Sequence, residues 1–147
     1  MGKAVEKIAL SKKHEIHSIV NSQSDLKKID LKTADIGIEF TNPKSAFENI
    51  SFCLKSNLPI VSGSTGWLSE LKTIKKICKK YNGSFLHSSN FSLSMNNFLN
   101  ISKRLAKNLK NCDISILEKH HIQKLDNPSG TAILLKNEIQ KYYKKDI

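Results

Sequence analysis

Asp35-Ile36-Gly37-Ile38-Glu39-Phe40-Thr41-Asn42-Pro43 predicts a short apolar strand that stops at a proline, and Pro43 in turn can begin a helix. Apolar residues then recur at helical spacing, at Ala46, Phe47, Ile50 and Leu54. The alternation continues along the chain, with a strand predicted at Pro59 to Ser62, a helix at Leu68 to Tyr81 and a strand at Ser84 to His87. Strands that alternate with helices indicate a parallel sheet covered by helices on both faces.

The segments on either side extend this pattern. Residues 2–10 show helical apolar spacing, and Glu15 to Val20 predicts a short strand. After Asn90 the pattern changes: a longer helix is predicted at Met95 to Leu109, a strand at Asp113 to Glu118 and a helix at Thr131 to Tyr143. We therefore expect an α/β domain over residues 1–89 and a second region, with helices and a strand of its own, over residues 90–147.

The composition narrows the class of protein. The formal charge of +11 comes from lysines spread over nearly every segment, and Arg104 is the only arginine. Nucleic-acid-binding surfaces concentrate arginine and aromatic residues on one face, so a lysine-rich nucleic-acid-binding module is the weaker alternative and we expect no nucleic-acid partner. The sequence shows no apolar run of membrane-spanning length and no secretory pattern, and its three widely spaced cysteines suit reduced thiols. We expect a cytoplasmic protein with no membrane partner and no metal site.

Residues 118–132 concentrate groups that transfer protons and bind anions: Glu-Lys-His-His-Ile-Gln-Lys-Leu-Asp-Asn-Pro-Ser-Gly-Thr-Ala. The imidazoles of His120 and His121 and the amine of Lys124 can transfer protons near neutral pH. The Ser129-Gly130-Thr131 turn leads into an apolar helix whose first N–H groups can bind a carboxylate, although helix capping alone is an alternative role for these hydroxyls. This combination predicts an enzyme that acts on a small acidic metabolite.

Four motifs resemble those of the 4-hydroxy-tetrahydrodipicolinate reductase family, also called dihydrodipicolinate reductase, and occur along the chain in the same order as in that family. Residues 118–132 are similar to its signature E-x-H-H-x-x-K-x-D-A-P-S-G-T-A, with Asn127 in place of the alanine. Gly63-Ser64-Thr65-Gly66-Trp67 resembles the family loop G-T-T-G-W/F. Residues 88–96 resemble A-x-N-F-S-x-G-x-N, and residues 38–43 resemble the strand end D/E-F-T-x-P.

The resemblance implies an NAD(P)H-dependent oxidoreductase that reduces 4-hydroxy-tetrahydrodipicolinate, a small dicarboxylate, to tetrahydrodipicolinate in lysine and diaminopimelate biosynthesis. By the family pattern, His120 and Lys124 are catalytic, and His121, Ser129, Gly130 and Thr131 bind the substrate carboxylate. The family pattern also assigns a set of residues to the cofactor: Gly2, Gly63, Ser64, Thr65, Ser88, Ser89, Asn90 and Phe91. Asn21 stands roughly where an acidic residue would bind the ribose 2′-hydroxyl, so both NADPH and NADH remain candidate cofactors.

The resemblance also implies parts beyond both ends of this sequence. A dinucleotide-binding fold opens with a strand and a glycine-rich turn, and Gly2 stands where the last glycine of that turn would be. We therefore expect a Rossmann-like parallel sheet lacking its first strand, followed by part of an α+β substrate and tetramerisation domain. A complete member would form a homotetramer. The alternative is a non-catalytic truncated remnant of the enzyme.

Overall fold

The computed structural model describes residues 1–21, 26–109, 111–120, 122, 128–144 and 147. Within them the chain forms two compact units, Met1–Ser89 and Asn90–Ile147. The first unit contains, in chain order, α1 (Gly2–Ser11), β1 (Gly37–Glu39), α2 (Pro43–Lys55), β2 (Ile60–Ser62), α3 (Leu71–Lys80) and β3 (Phe85–His87). Short 3-10 turns lie at Leu26–Lys28 and Leu68–Glu70. The predicted α/β class is confirmed.

The three strands form one parallel sheet in the order β1-β2-β3. The helix that follows β1 starts as the sequence predicts, because the side chain of Asn42 accepts hydrogen bonds from the N–H groups of Lys44 and Ser45 at 3.0 and 3.1 Å. Pro43 occupies the first helical turn, where its missing N–H costs nothing.

The core of the first unit lies between this sheet and the helices α2 and α3. Ile50, Leu54 and Ile74 are fully buried, and Ile60 from β2 and Trp67 join them. Burying one such large aliphatic side chain contributes about 1.5–3 kcal/mol, so these few residues fix how α2 and α3 lie on the sheet.

The opposite face of the sheet differs from the prediction of helices on both faces. Ile38, Val61 and Leu86 are paired neighbours on that face, and Ile38 and Leu86 are 52% and 57% exposed. The first helix, α1, buries none of its residues. In the described part of this unit, helices therefore cover one face only.

The strand predicted at Glu15 to Val20 is also absent. A strand is stable only when its N–H and C=O groups pair with a neighbouring strand. Among the described residues no segment pairs with 15–20, and Ile19 is 57% exposed. The prediction of a strand at Glu15 to Val20 is therefore wrong.

The second unit is built on two helices, α4 (Leu93–Asn108) and α5 (Gly130–Gln140). Ala106, Ile139 and Tyr143 form its buried core, and an ion pair of 3.0 Å between Lys103 and Glu138 ties α4 to α5. Among the described helices of the whole chain, none combines the length and the apolar character needed to cross a bilayer.

The prediction of a strand at Asp113 to Glu118 is wrong, although partly buried and exposed side chains do alternate along this segment. Ile114 and Ile116 pack against the α4–α5 core, whereas the next residue, Leu117, is 96% exposed. The segment has the period of two that a strand requires, but no other described segment lies beside it to complete a ladder.

Candidate functional site

The carboxyl ends of the three strands lie side by side at one edge of the sheet. The register pairs Glu39 with Ser62 and Ser62 with His87, so these three side chains share one face. Open α/β sheets bind ligands at this edge. The loop of residues 63–66, which we call the Gly63 loop, starts here directly after β2.

Glu39 is a buried carboxylate at the base of the Gly63 loop, 5% exposed. Its Oε1 accepts hydrogen bonds from N and Oγ1 of Thr41 at 2.7 and 2.6 Å and from Oγ of Ser64 at 2.6 Å. Its Oε2 accepts one from Oγ of Ser62 at 2.5 Å. Burial by itself would raise the pKa of Glu39, but the hydrogen bonds from Ser62, Ser64 and Thr41 stabilise the charged form and hold the pKa below its ordinary value.

Ser64 is held from two sides. Its hydroxyl donates to Glu39 and accepts a hydrogen bond from N of Thr41 at 2.8 Å. Its carbonyl oxygen accepts from Nε1 of Trp67 at 2.8 Å and from Nε2 of His87 at 3.0 Å, so Nε2 of that imidazole carries a hydrogen. The single hydroxyl hydrogen of Ser64 is thus already used inside the protein.

Both glycines of the loop are required by its geometry. A side chain at Gly63 would collide with the ring of Phe40, and Gly66 has a φ of +80°, which residues with a Cβ rarely adopt. Thr65 between them is exposed. Within the described part of the chain, the N–H groups of Thr65 and Gly66 have no hydrogen-bond acceptor, so they are available to a ligand.

The second segment that the sequence assigns to the cofactor follows β3. The N–H of Ser88 donates to the carbonyl of Ser62 at 3.2 Å, which places Ser88 next to β2 at the same sheet edge. Ser89 is exposed. The side chain of Asn90 accepts from the N–H two residues later at 2.8 Å, which shapes the turn before α4, and Phe91 is 43% exposed.

A second glutamate organises the residues around the start of α5. Oε1 of Glu118 accepts from N of Ser129 at 2.8 Å, and Oε2 accepts from Oγ of Ser129 at 2.5 Å and from Nε2 of His120 at 2.8 Å. The hydrogen bonds from Ser129, and secondly that from His120, lower the pKa of Glu118 to about 2. Since a carboxylate only accepts, Nε2 of His120 carries the hydrogen and Nδ1 is the nitrogen left for proton transfer.

The start of α5 has the properties of an anion-binding site. Ser129 is buried and caps the helix by accepting from N of Ala132 at 3.0 Å. Because its hydroxyl hydrogen goes to Glu118, Ser129 has none left for a ligand. The N–H groups of Gly130 and Thr131 have no acceptor among the described residues, and they lie at the positive end of the helix dipole.

Two family models match this chain. The family model described as dihydrodipicolinate reductase, N-terminus, matches residues 1–91, and the one described as dihydrodipicolinate reductase, C-terminus, matches residues 94–146. The chain belongs to the dihydrodipicolinate reductase family. The resemblance drawn from the four sequence motifs is thereby confirmed.

Individual members of the family are similar to this chain along most of its length. The 4-hydroxy-tetrahydrodipicolinate reductase of Christiangramia forsetii is 41% identical over 144 residues, which cover 95% of this chain and 59% of the relative. The protein of the same name from Buchnera aphidicola subsp. Cinara cedri is 42% identical over 120 residues, 80% of this chain and 43% of the relative. That of Wigglesworthia glossinidia brevipalpis is 34% identical over 170 aligned positions, 98% of this chain and 63% of the relative. The chain thus spans between 43% and 63% of the length of these relatives.

The described part of the structure leaves some predicted site residues unassigned to the cluster around Glu39 or to that around Glu118. His121 and Lys124 lie outside the described residues. Gly2 is exposed at the start of α1, and apart from its chain neighbours and its own helix no described residue has an atom within 4 Å of where its Cβ would be. In the part of the chain that the structure describes, no group of histidine, cysteine or acidic residues is arranged to hold a metal ion.

The family motifs include Glu39 and Glu118, but motif reading gave neither a role in the site. Each lies at the inward position of a period-two pattern, Glu39 two residues after Gly37 and Glu118 two residues after Ile116. An acidic residue at an inward position needs partners, since an unpaired buried charge is costly. An acidic residue at an inward position of the alternating pattern is therefore the sequence signal that indicates a role for Glu39 and Glu118.

Proposed function

We propose that this chain takes part in the reduction of 4-hydroxy-tetrahydrodipicolinate to tetrahydrodipicolinate in lysine and diaminopimelate biosynthesis. Its family and the names of its relatives support this reaction. The observation that carries the proposal is the link through Glu118, which joins a proton-transfer group, His120, to the anion-binding start of α5. A dicarboxylate substrate needs both of these within reach of one another.

The substrate end of the reaction is assigned to the second unit. The N–H groups of Gly130 and Thr131 bind one carboxylate, and His121 adds a donor. The reaction consumes a hydride and a proton and releases water, so a side chain must deliver and recover protons. His120 does so through Nδ1, and Lys124 is proposed as the donor of the proton that completes the reduced ring.

The cofactor is proposed to be NADPH or NADH. When bound, the nicotinamide supplies the hydride. The acceptor-free N–H groups of Thr65 and Gly66, at the carboxyl edge of a parallel sheet, fit a ligand rich in carbonyl and phosphate oxygens. The remaining proposed contacts come from the Gly63 loop, the segment after β3 and the start of α1: Gly2, Gly63, Ser64, Ser88, Ser89, Asn90 and Phe91. A cytoplasmic location and assembly as a homotetramer complete the proposal.

The test is oxidation of NADPH and of NADH by the chain in the presence of freshly generated substrate. Replacing His120 by asparagine, His120→Asn, should lower kcat by roughly 10²–10⁴-fold, the range for loss of a general acid or base. The matched control is His14→Asn, because His14 is exposed and its side chain makes no hydrogen bond or ion pair with another described residue. Normal turnover by His120→Asn would contradict its role, and a chain that binds neither dinucleotide nor substrate would be the non-catalytic remnant.

A further inference from the structure

The carboxylate of Glu39 is buried, yet it has no cation beside it among the described residues. Its charge is compensated by four hydrogen bonds, all from hydroxyl or amide donors. Burying a charge without a counterion is unfavourable unless hydrogen bonds compensate it, and a buried network whose polar groups are all bonded is rigid. The identity of the donors shows which groups those are.

The donors to Glu39 come from separate parts of the chain. Thr41 follows β1, Ser62 ends β2, and Ser64 belongs to the Gly63 loop, 25 residues away from Glu39 in sequence. One carboxylate therefore connects the ends of two adjacent strands to the loop between β2 and α3. The carbonyl of Ser64 is fixed independently by Trp67 and His87.

We propose that Glu39 is a positioning residue for the dinucleotide site, an inference that rests on the proposed function. By accepting the hydroxyl hydrogen of Ser64, Glu39 turns that side chain into the protein. The Gly63 loop then binds the cofactor through the hydroxyl of Thr65 and the N–H groups of Thr65 and Gly66. The hydroxyl that the family motif places at Ser64 serves to hold the loop.

The chain contains its own reporter for this proposal. Trp67 is the only tryptophan, it is 2% exposed, and its Nε1 donates to the carbonyl of Ser64. Its ring also meets the rings of Phe85 and His87 edge-on at centroid distances of 5.9 and 5.3 Å. In the folded chain, a change in tryptophan emission therefore reports a change in the surroundings of Trp67, which include the carbonyl of Ser64 and the rings of Phe85 and His87.

The decisive variant is Glu39→Met, which keeps the length of the side chain and removes both carboxylate oxygens, leaving only a weakly accepting sulfur. In the folded chain we expect tryptophan emission at longer wavelength and a dissociation constant for NADPH raised about tenfold or more, because the loop loses its anchor. Glu39→Gln retains one acceptor oxygen for Thr41 and Ser64 and should restore both readouts most of the way. Glu48→Met on α2 is the matched control, since Glu48 is exposed and should change neither readout.

The outcomes separate the alternatives. If Glu39→Met unfolds more easily but the folded form keeps wild-type emission and NADPH affinity, Glu39 is merely structural and the inference is overturned. If Glu39→Met does not fold, Ser64→Ala, which removes the hydroxyl that joins the loop to Glu39 and to N of Thr41, must shift tryptophan emission to longer wavelength or the inference fails. A wild-type chain that binds neither NADPH nor NADH would defeat the proposed function, while the tryptophan emission would still decide whether Glu39 holds the loop.

Discussion

The cap of α5 gives the sharpest quantitative prediction, because the chain offers a matched pair of helix caps. Ser129 accepts from N of Ala132 at 3.0 Å and is tied to Glu118, whereas Ser92 accepts from N of Met95 at 3.3 Å and caps α4 from an exposed position. Replacing a serine cap by alanine costs about 1 kcal/mol, with a range of about 0.5–2. We expect Ser129→Ala to lie at the upper end of that range and Ser92→Ala at the lower end.

The assay is amide hydrogen exchange, which reads each helix separately. A loss of about 1 kcal/mol accelerates exchange roughly fivefold when opening is fast, so the amides of α5 in Ser129→Ala should exchange at least that much faster. The amides of α4 in Ser92→Ala should change less than this. Equal effects of the two substitutions would refute the reasoning that the tie to Glu118 strengthens the cap of α5, and an unchanged α5 would refute the cap itself.

Three further outcomes are expected. The pKa of Glu118 is lowered in the folded state, so its hydrogen bonds stabilise the fold fully above pH 4.5, and this stabilisation is lost as the pH falls towards about 2. Acid unfolding of Glu118→Gln should therefore lack the stability loss between these two pH values. An acid unfolding profile identical to that of the wild type would argue against this role of Glu118. Leu54→Ala should lower the free energy of unfolding by about 2–5 kcal/mol in urea titrations followed by tryptophan emission, whereas Leu93→Ala, at a residue 82% exposed, should change it by less than about 0.5 kcal/mol. Burial raises the pKa of the Cys53 thiol to about 11, so at pH 8 a thiol reagent should label the exposed Cys112 and leave Cys53 unmodified until the chain unfolds.

The sequence predicts much of the first unit because its signals are local. Asn42 and Pro43 start α2, and apolar residues at helical spacing run along that helix to Leu54. Helix starts and periodic burial depend on neighbours within a few residues, so reading the sequence is enough to find them. The parallel order of the strands follows from their alternation with helices.

The two strands that were predicted but do not form show what a local sequence pattern cannot determine. Residues 15–20 and 113–118 have suitable extended patterns, and in the second segment Ile114 and Ile116 do point into the core. A strand, however, is defined by a partner elsewhere in the chain, and no local pattern states whether that partner is present. The predicted residues of the site show the same limit: the sequence indicates that Ser64 and Ser129 belong to functional loops, but not that their hydroxyl hydrogens are bonded to Glu39 and Glu118.

These two serine–glutamate pairs have a consequence for ligand recognition. Each pair fixes a loop before any ligand arrives, since its hydrogen bonds join residues 25 and 11 positions apart. A ligand that enters an ordered site loses little affinity to the ordering of the protein. The same rigidity prevents the loops from reshaping themselves around molecules of a different outline. If Thr65 and Gly130 bind ligands as proposed, we therefore expect selectivity there to come from shape and donor placement that are set during folding.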